Sequence, residues 1–185
     1  MHPQLAEILD ILSTGRARWA LLAASTPDDR WAARNRPAEW SVAENIAHLN
    51  LSARAMHPLL VAAAESVRTR GPYHGRLRRT VLGTILSATM GPVPRIGGFR
   101  LARFRTPPPF VPGALDPRAT ISAEFERHFD AHEKAVRDAD GLPLHLAMMD
   151  SPFAPGKFYD AYSGWLVVAR HIHRHLVQAE RVWGP

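Results

Sequence analysis

Ten of the 185 residues are histidines, and no other residue type here offers as much site chemistry. His171 and His175 are four apart in a stretch of helical periodicity. Side chains at i and i+4 share one helix face with about 5–6 Å between Cβ atoms, so two imidazoles can converge on one ion. His173 lies between them and points to another side. His128 and His132 repeat the spacing. His132 continues the apolar face of Phe125 and Phe129, so this pair reads as core-edge histidine with a hydrogen-bond partner. Spacing alone leaves the 171/175 pair open between a metal site, a surface pair and a hydrogen-bonded interior. His48, taken alone, is one more half-buried histidine, four residues after Glu44.

Other chemistries are excluded by composition. With no cysteine there are no disulfides, thiolate ligands, iron–sulfur clusters or cysteine nucleophiles, which fits a cytoplasmic location. Met1-His2-Pro3-Gln4 does not begin a basic-then-apolar leader, and no apolar run reaches the roughly 18–20 residues that span a bilayer. The net charge of +6 comes almost wholly from arginine, with lysine only at Lys134 and Lys157. Arg68, Arg70, Arg76, Arg78 and Arg79 form the densest basic cluster and could attract an anion. No nucleic-acid motif accompanies them, so no nucleic-acid partner is expected and the arginines read as base composition.

The elements that must position the histidines follow from periodicity. Leu5, Ile8, Leu9, Leu12, Trp19 and Leu22 predict a helix over 3–24, ended by Pro27 and Asp28-Asp29. Ser41-Val42-Ala43-Glu44 is a capping box that opens a second helix running to about 68, with Pro58 expected to kink or restart it. Arg76–Thr89 predicts a short amphipathic helix through Leu77, Val81, Leu82, Ile85 and Leu86. Gly91-Pro92, Pro94, Gly97-Gly98, Pro107-Pro108-Pro109 and Pro112-Gly113 then prevent regular structure, and 71–116 reads as a long irregular insertion crossing between the second and third long helices. Asp116-Pro117 predicts a helix start with Asp as N-cap. Ile121, Phe125, Phe129 and Val136 mark that helix's buried face, and Gly141 ends it. A loop through Pro143, Pro152, Pro155 and Gly156 leads to a last helix over 159–182 carrying Tyr162, Trp165, Leu166, Val168, Ala169, Leu176 and Val182. No stretch alternates with period two. The expectation is one all-α domain, 1–185, a four-helix bundle with one long Pro/Gly-rich crossover.

Two segments resemble the hallmarks of the DinB-like superfamily of bacterial four-helix bundles. One is Trp40-Ser41-Val42-Ala43-Glu44-Asn45-Ile46-Ala47-His48-Leu49. The other is Arg170-His171-Ile172-His173-Arg174-His175-Leu176-Val177-Gln178, similar to that family's late His-x-x-x-His segment with its trailing Gln. The order, one histidine early and two late, also agrees. The resemblance implies that His48, His171 and His175 ligate a divalent metal. It also implies a thiol-dependent S-transferase using a low-molecular-weight thiol, since the family includes such enzymes, and it implies a homodimer.

Three neutral imidazoles suit zinc, nickel, iron(II) or copper, with zinc the default. They leave an open position, where a water's pKa falls toward 7 on zinc and a thiol ionises. Metal-assisted hydrolysis and thiol attack on an electrophile are the reactions such a site permits. The alternative is a non-catalytic bundle in which metal staples the fold or a small ligand binds for stress response or regulation. Glu44 one turn from His48 could orient that ring, but its capping role is complete in itself. Gln178 suits either a hydrogen bond near the site or interhelical packing. Trp40 and Trp165 read as core.

Overall fold

The computed structural model describes residues 1–91, 95–96, 99–100 and 106–183. Pro92, Pro94 and Gly97-Gly98 of the Pro/Gly-rich run lie outside the described residues. Helix α1 spans Pro3–Ser25, with His2 as N-cap and Pro3 at the first helical position, where a missing N–H costs nothing. Its buried residues are Leu5, Ile8, Leu12, Trp19 and Leu22, with Gly15. A single turn, α2 (Asp28–Trp31), follows Pro27 and buries Trp31.

Helix α3 spans Val42–Ser66 and starts on the expected capping box. The Ser41 hydroxyl accepts from the Glu44 N–H at 3.2 Å, and the Glu44 carboxylate accepts from the Ser41 N–H at 2.8 Å. Pro58 does not restart it: the helix runs on through that residue. Met56 and Leu60 on either side are fully buried, and their packing outweighs the roughly 3 kcal/mol that an interior proline costs.

Between α3 and the next long helix, the described part of 71–116 holds a helix, two short strands and a 3-10 turn. Helix α4 spans Val81–Thr89, capped by Thr80, and Leu77 is buried ahead of it rather than within it. The face turned inward holds Gly83 and Ser87 with Leu82 and Leu86 half-buried beside them, while Val81 is 80% and Ile85 54% exposed. Polar ties decide this. Asp160 Oδ2 accepts from the N–H and hydroxyl of Thr80, and Arg170 donates to the Ser87 carbonyl at 2.7 Å. Two-residue strands β1 (Arg95–Ile96) and β2 (Phe99–Arg100) pair antiparallel, and a 3-10 turn covers Pro108–Phe110.

Helix α5 spans Arg118–Asp138 and buries Ile121, Phe125, Phe129, His132 and Val136. Its N-cap is Pro117, without a side-chain cap bond, so Asp116 does not cap it. The Pro117 carbonyl already accepts from Thr120 and Ile121, and Arg118 reaches the last carbonyls of α1 at Ala23 and Thr26. Gly141 beyond its end takes φ +76°, open to glycine without strain.

The expected loop through 143–158 is instead partly a hairpin. Strand β3 (Met148–Ser151) pairs antiparallel with β4 (Ala154–Asp160) around a turn at Pro152-Phe153. The period-two signal is faint because β4 buries only its last two residues, Tyr159 and Asp160. Helix α6 spans Ala161–Trp183. Asp160 starts it, accepting from the Ser163 N–H and hydroxyl.

The fold is thus mostly helical with small two-stranded sheets, not all-α. Helices α1 and α3 each pack on both α5 and α6, closing a ring of four long helices. Trp19, Phe125, Phe129, Met56, Trp165 and Leu176 fill its interior.

Candidate metal centre

His48 lies on the face of α3 that turns to α6, and α6 presents His171 and His175 one turn apart. The three rings meet. Their centroids are 5.0 Å (48–171), 4.5 Å (48–175) and 4.6 Å (171–175) apart. One nitrogen from each lies within 4.8 Å of the others, and the Nε2 atoms of His48 and His171 are 3.1 Å apart. Among the described residues this is the one set of three or more metal-ligating side chains gathered so closely. His48 and His175 are buried and His171 is half-buried, so the centre is approached past His171.

Two hydrogen bonds fix the rings. His48 Nδ1 lies 2.8 Å from the Phe110 carbonyl, and His175 Nδ1 lies 2.9 Å from Asn45 Oδ1. A carbonyl oxygen only accepts, so each Nδ1 carries the proton and each Nε2 keeps its lone pair. Metal-bound histidines are usually held in this way. Burial, with the Arg174 charge nearby, lowers the pKa of His48. Burial together with the neighbouring rings and Arg174 puts those of His171 and His175 well below the usual value. All three are neutral at pH 7, as ligation requires. The donor set therefore fits a divalent ion of the zinc, nickel or iron(II) kind.

Trp40 is not core. It is half-buried and forms a wall of the centre, its ring 4.9 Å from that of His48 and 6.0 Å from that of His175. Glu44 does not reach the site: its carboxylate is committed to the cap and to Arg34, whose hydrogen bonds hold its pKa down. Gln178 is half-buried and makes no hydrogen bond among the described residues, in keeping with packing. His173 points away, toward Arg18 and Glu180. Trp165 is core, as expected. In the basic cluster, Arg68 pairs with Glu65, and Arg79 donates to Ser87 Oγ.

Three contributors escape sequence reasoning. Asn45 had a signal, a polar residue three before His48 on the buried face. Phe110 and Phe153 had none, because the fold brings each across a long stretch of chain. Their rings lie 4.4 Å apart at a tilt of 51°, with Phe153 6.3 Å from His171, beside the centre.

A mostly helical fold whose interior gathers one early and two late histidines defines a class of potential metal-binding helical proteins. Within it, the chain belongs to the DinB superfamily, whose family model matches residues 11–179. No curated protein and no solved structure matches the chain. No described helix is long and apolar enough to cross a membrane.

Proposed function

We propose that the protein is a divalent-metal-dependent enzyme, a thiol-dependent S-transferase or a metal-assisted hydrolase, with His48, His171 and His175 as its metal ligands. The observation that carries the reading is the convergence of three neutral imidazoles, two of them oriented through Nδ1 so that Nε2 faces the common point. A zinc ion held there supplies Lewis acidity that lowers the pKa of a bound water or thiol. The chain's own part is to keep the rings neutral and fixed, through Asn45 and the Phe110 carbonyl, and to shield them with Trp40, Phe110 and Phe153. Thiol transfer stands ahead of hydrolysis because the family resemblance implies it. The fold reading that goes with this is a four-helix bundle of α1, α3, α5 and α6 with 71–116 as crossover, acting as a cytoplasmic homodimer.

The test is elemental analysis of gently purified protein beside a His175→Ala variant. About one ion per chain is expected in the first and a near-complete loss in the second; unchanged metal content in the variant refutes the ligand set. The reloaded protein is then assayed for conjugation of a low-molecular-weight thiol to electrophiles and for hydrolysis. Bound metal with neither activity supports the non-catalytic alternative.

A further inference from the structure

A second pair of imidazoles meets away from the histidine centre. His57 on α3 and His132 on α5 bring their Nδ1 atoms to 3.3 Å, with ring centroids 5.1 Å apart and planes at 69°. His132 is fully buried and His57 half-buried, so solvent reaches the pair from the His57 side. As a hydrogen bond between two neutral rings the contact is long, since such bonds usually run about 2.7–3.2 Å. As the edge of a coordination tetrahedron it fits. Two nitrogens, each about 2.0–2.1 Å from one ion, lie about 3.3–3.4 Å apart. The centre described above has a comparable edge, 3.1 Å between Nε2 of His48 and of His171.

The surroundings admit a cation. Burial lowers the pKa of both rings, that of His132 to about 3, so both are neutral at pH 7 and keep lone pairs to give. Arg54, one turn before His57, is paired with both carboxylate oxygens of Glu124 at 2.6 and 2.8 Å. His128, the third titratable ring facing the pair, donates to Glu124 Oε1 at 3.2 Å. Arg127 bears on His128 rather than on the pair. The residue after His57 is Pro58, which offers no N–H to the carbonyl of residue 54. An ion held by the two rings would tie α3 to α5 where the ladder of α3 is interrupted.

The pair is separate from the centre. His132 packs edge-on against Trp165, six residues before His171 and so about 9 Å along α6. Paired-metal sites hold their ions about 3.5–4 Å apart. The two places therefore load independently.

We propose that His57 Nδ1 and His132 Nδ1 form a second metal site, a two-imidazole clip for a late first-row divalent ion that bridges α3 and α5, with water in the remaining positions. Imidazole nitrogen selects copper(II), nickel or zinc over magnesium and calcium, and copper(II) binds such donors most tightly. With one protein ligand fewer than the centre, this site is the weaker and the first to empty on purification.

The experiment titrates the full chain, freed of metal by a chelator, with copper(II) alone, followed by calorimetry and by electron paramagnetic resonance. Two equivalents are expected, the second about tenfold or more weaker than the first and carrying the hyperfine pattern of two ring nitrogens. His57→Ala should abolish the second equivalent and keep the first. His175→Ala should lose the first and keep the second, so the two readings fail separately. In the His175→Ala background copper should raise the thermal unfolding midpoint. Adding His57→Gln, whose amide can still hydrogen-bond to His132, should remove that rise. A single equivalent in the wild-type chain overturns the proposal. So does a second equivalent that persists in His57→Ala, the signature of adventitious binding to other histidines.

Discussion

At the centre, the ring nitrogens that do not face the common point are as informative as those that do. His175 Nδ1 is held by Asn45 and His48 Nδ1 by the Phe110 carbonyl, and each bond selects the tautomer that leaves Nε2 free. The two kinds of residue should therefore fail differently. Replacing a proposed ligand, as in His175→Ala, removes one of the three nitrogens that could hold an ion. Asn45→Leu keeps all three histidines but releases one ring, and, on the proposed reading, is expected to weaken zinc affinity by about 10–100-fold while saturating zinc still loads one ion at the centre. Competition with a chelator of known affinity measures both. Glu44, one turn from His48, was legible as a cap from the Ser41–Glu44 spacing alone; Asn45, beside it, became meaningful only when α6 was seen to lie across it.

Among the elements, α3 follows its local pattern closely and α4 only in part. Helix α3 begins where its capping box places it. Ser41→Ala is expected to cost about 1 kcal/mol, read as a shift in the urea unfolding midpoint with an unchanged slope. Helix α4 turns only part of its hydrophobic pattern inward, Leu82 and Leu86 beside Gly83 and Ser87, while Asp160 binds Thr80 at one end and Arg170 binds the Ser87 carbonyl at the other. That arrangement brings Gly83 against Ser163 and Asp160. A Cβ there would meet Ser163 Oγ in hard overlap and Asp160 Oδ2 at 2.8 Å. Gly83→Ala is accordingly expected to destabilise by about 1–3 kcal/mol, in contrast to the gain that alanine usually brings to a helix. The same denaturation series checks it.

Over the whole molecule, the buried histidines couple stability to pH. Burial, with His57 and His128 nearby, lowers the pKa of His132 to about 3, far below the 6.5 of an unfolded chain. Between those values the unfolded state binds a proton that the folded state refuses. This contribution to stability is full above about pH 6.5 and is lost as pH falls toward about 3, at up to about 1.4 kcal/mol per pH unit. The metal-free protein should lose stability as pH falls from 6.5 to 4.5, before the cap carboxylate of Glu44, held below 4.5, begins to protonate. His132→Leu should reduce that slope by about one proton, measured by urea unfolding at several pH values.

The sequence by itself determined the long helices, their buried faces and the capped start of α3, since these follow from 3.6-residue periodicity and local hydrogen bonding. Through its resemblance to the DinB-like segments it also named the three histidines that the fold brings together. Tertiary structure alone decided what the local pattern could not carry. The hairpin β3–β4 hides its alternation because one strand is mostly solvent-facing. The exposure of Val81 and Ile85 on α4 goes with ties to Asp160 and Arg170 some eighty residues later. The placement of Phe110, Phe153 and Trp40 beside the histidines depends on which surfaces face one another once the chain closes, a distance in space that spacing along the chain does not encode.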